Sequence, residues 1–413
     1  LYTPTNSTAF LEEAWQSLKD QDADFEWIIV PNGNCQSLPQ TLLADSRVHA
    51  FPATHLTGRI GALKKFAVKH AQGDVFIEFD HDDLLMPNAL KRIADSVDAT
   101  KPQFLFSDFA AFEDAFKPFL YDKNYGWRTY PVTYNGRELI AHRQFDIDPV
   151  ALSSLHFSPN HVRVWTRAAY ELAGHYSEAY DIADDYELML RTYLTGAEFI
   201  HIPECLYLQR MHRHSASAAK NAQIQSIQQE LSNQNAYHVL DEWRRRNDLP
   251  AFALSVSAST ESRYPVLTPL ADTVRHETGV RFQGLSDLPD NSVGRLEVRH
   301  LLPYLPPNLV LPFFEECHRV LAAGGWLCCQ APSTDGRAAF TNPLYRTFWN
   351  ETTFWTFTKT KFAALAGGHN ARFYAVREWT AWPMWEHRAE QYAEVCVDLV
   401  ALKGQTQPGW TGI

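Results

Sequence analysis

The first hundred residues alternate short apolar runs of strand character with segments of helical spacing, and this alternation limits the fold more than any other feature of the chain. "LYTPTN" reads as a strand, and "STAFLEEAWQSLKDQ" places Phe10, Leu11, Ala14 and Leu18 on one helical face behind a Ser/Thr start. "FEWIIVPNGN" is a strand running into a glycine turn, "RVHAFPA" a short strand, and "GRIGALKKFAVKHAQG" a helix expected to close at Gly73. "DVFIEFD" follows as a buried strand. Such alternation builds an α/β domain around a largely parallel sheet. Sheets of this kind bind ligands beyond the C-terminal ends of their strands. Pro4-Thr5-Asn6, Asn32-Gly33-Asn34 and Asp80-His81-Asp82 all fall at such ends.

At 413 residues the chain is too long for one ordinary core, so two domains are expected. A formal charge of −11 argues against a nucleic-acid partner held by its phosphates. It does not exclude an anionic small substrate, provided a metal ion supplies positive charge locally. The six cysteines show no CxxC pair, so neither a zinc site nor a disulfide framework is indicated, and reduced thiols in a cytoplasmic protein are the simpler account. No stretch has the length and apolar character of a membrane span.

The strand "VFIEF" ends in Asp80-His81-Asp82-Asp83, where clustered carboxylates repel one another. One reading is a solvated strand end followed by Pro87 and Asn88, which suit a turn into the helix "NALKRIA". The other is a divalent cation held by hard oxygen ligands. Further on, "SPNHVRVW" precedes "DIADDYELMLRTYLTG", where Asp184 and Asp185 open an amphipathic helix. Acidic residues in a first helical turn also complement the helix dipole without any further role. "LQRMHRHSAS" then places His212 and His214 among basic residues after a strand, and a polar helix runs from about Ala219 to Arg246. Residues 250–269 are rich in Ser, Thr, Ala and Pro and read as a linker between a domain over 1–249 and a second over 270–413.

"FEWIIVPNGN", "GRIGALKKFAVKHAQGDVFIEFDHDD" and "DDYELMLR", in this order, resemble the family 2 glycosyltransferases of the GT-A fold over about residues 1–220. The resemblance implies a Rossmann-like mixed sheet flanked by helices and transfer of a sugar (hexosyltransferase class) from a UDP- or GDP-sugar to a hydroxyl acceptor such as a glycan, with inversion expected. It places Thr3, Pro4 and Asn32 at the nucleotide, although "PNGN" stands where the family more often has "DDGS". It makes Asp82 the metal ligand and Asp80 a contact to the ribose or, through water, to the metal. Asp83 serves either the site or the following segment as a cap. His212 or His214 reaches back to the metal or diphosphate, as an imidazole suits Mn²⁺ better than Mg²⁺. Asp185 becomes the catalytic base, with Asp184 orienting the acceptor. Lys64 is placed on the donor side, facing a phosphate or, with Lys65, merely solvent. Asn160, His161 and Arg163 line an acceptor pocket.

"GLSDLPDNSVGRLEVRHLLPYLPPNLVLPFFEECHRVLAAGGWLCCQAPS" resembles the C-terminal half of class I methyltransferases. No G-x-G loop precedes Val280, so the resemblance is to a truncated, smaller α/β domain without a cradle for S-adenosylmethionine. Its aromatic stretches "FWNETTFWTF" and "EWTAWPMWEH" offer area for a homodimer, for acceptor docking, or for the domain's own core. Two rivals stand beside this reading: a nucleotidyltransferase acting on a sugar phosphate, and a non-catalytic carbohydrate-binding or assembly protein on a transferase fold. The first would show a basic Gly-rich loop near the first strand, which "LYTPTNSTAF" lacks, and the second is disfavoured by Asp82 and Asp185.

Overall fold

The computed structural model describes residues 1–35, 37–122, 126–155, 158–212, 216–255, 264–267, 273–276, 279–282 and 284–403. The chain divides into two compact units, Leu1–Glu242 and Trp243–Ile413.

The first unit opens with β1 (Tyr2–Thr5), α1 (Leu11–Leu18), β2 (Trp27–Pro31), α2 (Gln40–Leu43), β3 (Val48–Ala50), α3 (Ile60–His70) and β4 (Val75–Glu78). α1 starts at Leu11 without a side-chain cap, and α3 ends at His70, three residues before the glycine expected to close it. A short β5 (Leu84–Leu85) and α4 (Ala89–Ser96) follow, with Asn88 turning the chain at a left-handed φ of 64°. Then come β6 (Gln103–Glu113), β7 (Lys117–Phe119), the hairpin β8 (Arg128–Tyr134) and β9 (Arg137–Arg143), α5 (Pro149–Ser154), β10 (Arg163–Thr166), α6 (Arg167–Leu172), α7 (Asp184–Leu194), β11 (Glu198–Arg210) and α8 (Ala216–Arg246).

These strands form one mixed sheet in the order β3-β2-β1-β4-β10-β6-β11-β5, with β7 and the β8–β9 hairpin attached at β6. β1 to β4 run parallel, and β10 lies antiparallel between β4 and β6. Strand alternation sends Ile29, Ile77 and Phe79 to one face, where α1 and α4 pack Leu11, Trp15 and Ile93 onto them. Ile28, Val30, Phe76 and Trp165 go to the other, against Leu63, Ala67, Tyr186 and Met189 of α3 and α7. The mixed, helix-flanked sheet is therefore the architecture expected for this part of the chain.

The second unit contains β12 (Ala251–Leu254), β13 (Val266–Leu267), β14 (Thr273–His276), β15 (Gly279–Phe282), β16 (Val293–Arg299), α9 (Val310–Val320), β17 (Leu321–Pro332), α10 (Trp355–Thr358), α11 (Thr360–Leu365), β18 (Phe373–Ala381), α12 (Trp385–Ala389) and β19 (Glu394–Ala401). Its main sheet runs β13-β12-β16-β17-β19-β18, parallel through β17, with β19 antiparallel to both of its neighbours. Leu296, Val298, Leu327 and Leu399 pack against Phe313, Phe314 and Cys317 of α9. The stretch 250–269 differs from a plain linker. Ala251–Leu254 is an apolar strand paired with β16, because four small and apolar residues find a parallel partner whose core-facing positions need covering.

All six cysteines are buried and unpaired. Among the described residues, no helix is long and apolar enough to cross a membrane.

Candidate active site

The parallel strands of the first unit end on one rim, and the acidic loop 80–83 leaves it from β4. β11 brings the other half of the site, since its last residues run alongside this loop. His212 Nε2 lies 2.7 Å from Asp82 Oδ2, uniting two residues that are 130 positions apart. Arg210 ties the loop to β11. Its backbone N–H donates to Asp83 Oδ1 (2.6 Å), its Nε to the Asp82 carbonyl (2.8 Å) and its Nη2 to Glu13 Oε2 (2.6 Å). The guanidinium is also seated between the rings of Phe10 and Phe112, 4.5 and 4.7 Å from their centroids.

Two sets of side chains of the kind that can hold a metal ion overlap here. Asp80, Asp83 and His161 bring one ligand atom each within 4.8 Å of one another. Both Asp83 oxygens, however, are already engaged, Oδ2 by the Tyr207 hydroxyl (2.8 Å) and Oδ1 by Arg210. Burial, with Asp82 and Asp80 beside it, pushes Asp83 well above the usual carboxylate range. Asp83 is thus a brace for the loop, while Asp82 and His212, each partly buried, stand as a pair beside the more exposed Asp80. Burial and the neighbouring Glu78 push Asp80 up to about 7, against the pull of Lys64. Carboxylate oxygens and an imidazole nitrogen on a rim short of positive charge are a donor set that fits Mn²⁺.

The acidic pair opens α7 directly after Ala183, which holds a left-handed φ of 59°. Asp185 Oδ2 accepts from Arg163 Nη1, and its Oδ1 accepts from the Tyr186 N–H at 2.8 Å. Burial raises the Asp185 carboxyl, but Arg163 and Lys64 outweigh it and hold the group well below the ordinary carboxylate range. Asp184 has the opposite fate, as burial pushes it up to about 6 in spite of Lys64. Arg163 reaches Asp185 because β10 is antiparallel to β4, a register that puts Arg163 opposite Glu78 at the strand end.

Several residues expected to touch ligand serve the frame instead. Lys64 is neither at a phosphate nor in solvent. Its Nζ is buried 2.6 Å from Glu78 Oε1 and 2.9 Å from Asp184 Oδ2, with only 8% of the side chain exposed. Gly61 makes this approach of α3 to α7 workable, since a Cβ there would lie 2.5 Å from the Ser177 carbonyl and 2.8 Å from that of Tyr180. Lys65 pairs with Glu178 at the surface. Thr3 is fully buried and donates to the Phe79 carbonyl, and buried Asn32 donates to the Thr5 carbonyl at 3.0 Å, while Pro4 is half-buried between Thr3 and Thr5. Asn160 donates to Gln209 Oε1 (3.2 Å), and His161 stacks on Tyr207 with its Nε2 3.5 Å from Asp80 Oδ2. His214 lies outside the described residues. Glu78 went unnoticed in the sequence. Its signal was a carboxylate set between Ile77 and Phe79 in an otherwise apolar strand, which demands a buried cation.

Residues 5–158 match the model of glycosyl transferase family 2. The matched segment carries Lys64, Glu78 and the acidic loop, whereas Arg163, the Asp184–Asp185 pair and His212 lie beyond its end. No curated protein sequence matches the chain. Among solved structures, similarity is found to S. aureus TarS 1-349, with 16% identity and a TM-score of 0.41 over 59% of this chain and 71% of that one. The same TarS fragment in complex with UDP-GlcNAc aligns with 15% identity and a TM-score of 0.40, over 59% of this chain and 72% of that one. The mannosyltransferase PcManGT from Pyrobaculum calidifontis, in complex with GDP-Man and Mn²⁺, aligns with 15% identity and a TM-score of 0.35, over 60% of this chain and 63% of that one.

Proposed function

We propose that residues 1–249 form a metal-dependent glycosyltransferase that moves a sugar from a UDP- or GDP-sugar to a hydroxyl of a glycan acceptor. The observation carrying this reading is the convergence of Asp82 and His212 at 2.7 Å on the strand-end rim that a family 2 segment supplies. Asp82 and His212 would hold a divalent ion, with Asp80 beside them. When bound, that ion supplies Lewis-acid neutralisation of the leaving diphosphate. Asp185 takes the proton of the acceptor hydroxyl as its oxygen bonds to the anomeric carbon. The bond from that carbon to the diphosphate oxygen breaks, and the nucleoside diphosphate leaves. Asp184, held by Lys64, keeps the start of α7 in place. Asn160 and His161 flank the same rim and suit the acceptor side. Thermal melts with UDP- and GDP-sugars check the reading. Stabilisation by one nucleotide class, present with MnCl₂ and lost in EDTA, is the expected result. No shift with either class under any metal would overturn it.

We further propose that residues 270–413 form a methyltransferase-like domain that does not use S-adenosylmethionine and instead docks the acceptor or a second copy of the chain. The parallel β16-β17 pair with its α9 crossover supports the α/β reading. The lack of a G-x-G turn in the segment preceding Val280 supports the absence of a cofactor cradle. Equilibrium dialysis with labelled S-adenosylmethionine is expected to show no saturable binding, and saturable micromolar binding would make this unit a working methyltransferase.

A further inference from the structure

Glu78 closes β4 two residues ahead of Asp80, on the sheet face where its neighbour Phe76 is core. A carboxylate on that face is costly unless cations meet it. Two of them do. Lys64 donates to Oε1 at 2.6 Å, and Arg163 Nη1 stands 3.7 Å from Oε2. The same two cations hold the acidic pair, Lys64 lying 2.9 Å from Asp184 and Arg163 donating to Asp185. The outcome is a line of alternating charge, Asp184, Lys64, Glu78, Arg163, Asp185, in which only the Asp185 end is appreciably exposed, at 26% of its side chain. Glu78 is the hub, the one carboxylate among the described residues in contact range of both cations.

Each Asp185 oxygen already accepts one hydrogen bond, Oδ1 from the Tyr186 N–H and Oδ2 from Arg163, and each keeps a further lone pair that can take a proton. Once protonated, Asp185 is neutral and no longer balances the charge on Arg163. Glu78 Oε2 is buried, accepts no hydrogen bond, and lies within a small side-chain movement of the same guanidinium nitrogen. A second carboxylate oxygen thus waits for Arg163, and the cation can change partners without being left unpaired, which would be the expensive alternative in a dry site.

We infer that Glu78 is a positioning residue for the transfer reaction: it anchors Lys64 and Arg163 under the acidic pair, and its unpartnered Oε2 receives Arg163 when Asp185 takes up the acceptor proton. This inference rests on the glycosyltransferase reading above. Glu78 touches neither donor nor acceptor in this scheme, so its removal acts on turnover and not on donor binding.

The test measures nucleotide release from UDP-N-acetylglucosamine and GDP-mannose with MnCl₂, using the full chain, with circular dichroism melts as a fold control. Glu78→Gln is expected to lower kcat by about 10- to 100-fold with the KM for the nucleotide sugar within about twofold of wild type. Glu78→Asp, which keeps the charge, is expected to recover part of that loss. If Glu78→Gln does not fold, Glu78→Asp decides on the same reading, with a reduced kcat at unaltered KM as support. Unchanged kcat, or a raised KM at unchanged kcat, overturns the positioning role while leaving the transferase reading intact. A wild-type protein that turns over neither sugar nucleotide overturns the transferase reading and the inference with it.

Discussion

Asp82→Ala is expected to abolish the metal-dependent part of nucleotide-sugar binding. A diphosphate arriving at this rim meets Asp80 and Asp82 with like charge, and the nearest guanidinium, Arg210, is already spent on Glu13 and the Asp82 carbonyl. A divalent ion reverses that repulsion, and Asp82 is the carboxylate paired with His212. Calorimetric titration of a UDP- or GDP-sugar with MnCl₂ should show the affinity falling about 100-fold or more, equal to about 2.8 kcal/mol at about 1.4 kcal/mol per decade. The fold should survive, because Asp82 lies at a loop and its replacement forfeits one hydrogen bond, worth about 1 kcal/mol. Unchanged affinity in the variant, or in wild type with EDTA, would remove Asp82 from the metal site.

Asp185→Asn should separate binding from chemistry. The amide keeps the shape of the side chain and leaves the acidic loop untouched, so the Kd for the donor should stay near wild type. Transfer to an acceptor should fall by about 100-fold or more, the scale for losing a placed general base. Donor hydrolysis by water is expected to decline less, because a small, unanchored water can pass its proton to solvent or to another carboxylate, whereas a bound acceptor hydroxyl depends on the base placed beside it. Arg163 would lose its charged partner at the surface end of the chain and fall back on Glu78, 3.7 Å away, which limits the loss of stability. A variant that transfers at near wild-type rate would reduce Asp185 to a helix-end charge and shift the search to Asp184.

The two halves of the site differ in how far they could be foreseen. The order of strands and helices up to β4, the acidic turn at a strand end and the acidic start of α7 all follow from local patterns: period two or 3.6, a glycine or asparagine turn, polar residues after an apolar run. The pairing of Asp82 with His212 was within reach because both sit at the ends of recognisable elements. Lys64 was misplaced for a physical reason. A helical wheel shows which residues of α3 share a face, but not that a segment over a hundred residues later packs there, close enough that Gly61 admits no Cβ. Thr3 and Asn32 were likewise assigned to ligand, whereas the sheet turns both inward to satisfy backbone carbonyls.

What the amino-acid sequence by itself determined is therefore the fold class of the first unit and the rim on which its candidate site lies, because element type and strand-end position are local properties. What the tertiary structure alone decided is which charges meet. β10 runs antiparallel between β4 and β6, and that register sets Arg163 opposite Glu78. α3 packs against the start of α7 and delivers Lys64 to Asp184 and Glu78. Strand direction in a mixed sheet and the meeting of distant helices are long-range outcomes of core packing. No window of sequence encodes them, so the same carboxylates could have been solvated, capped or paired until the fold brought their cations beside them.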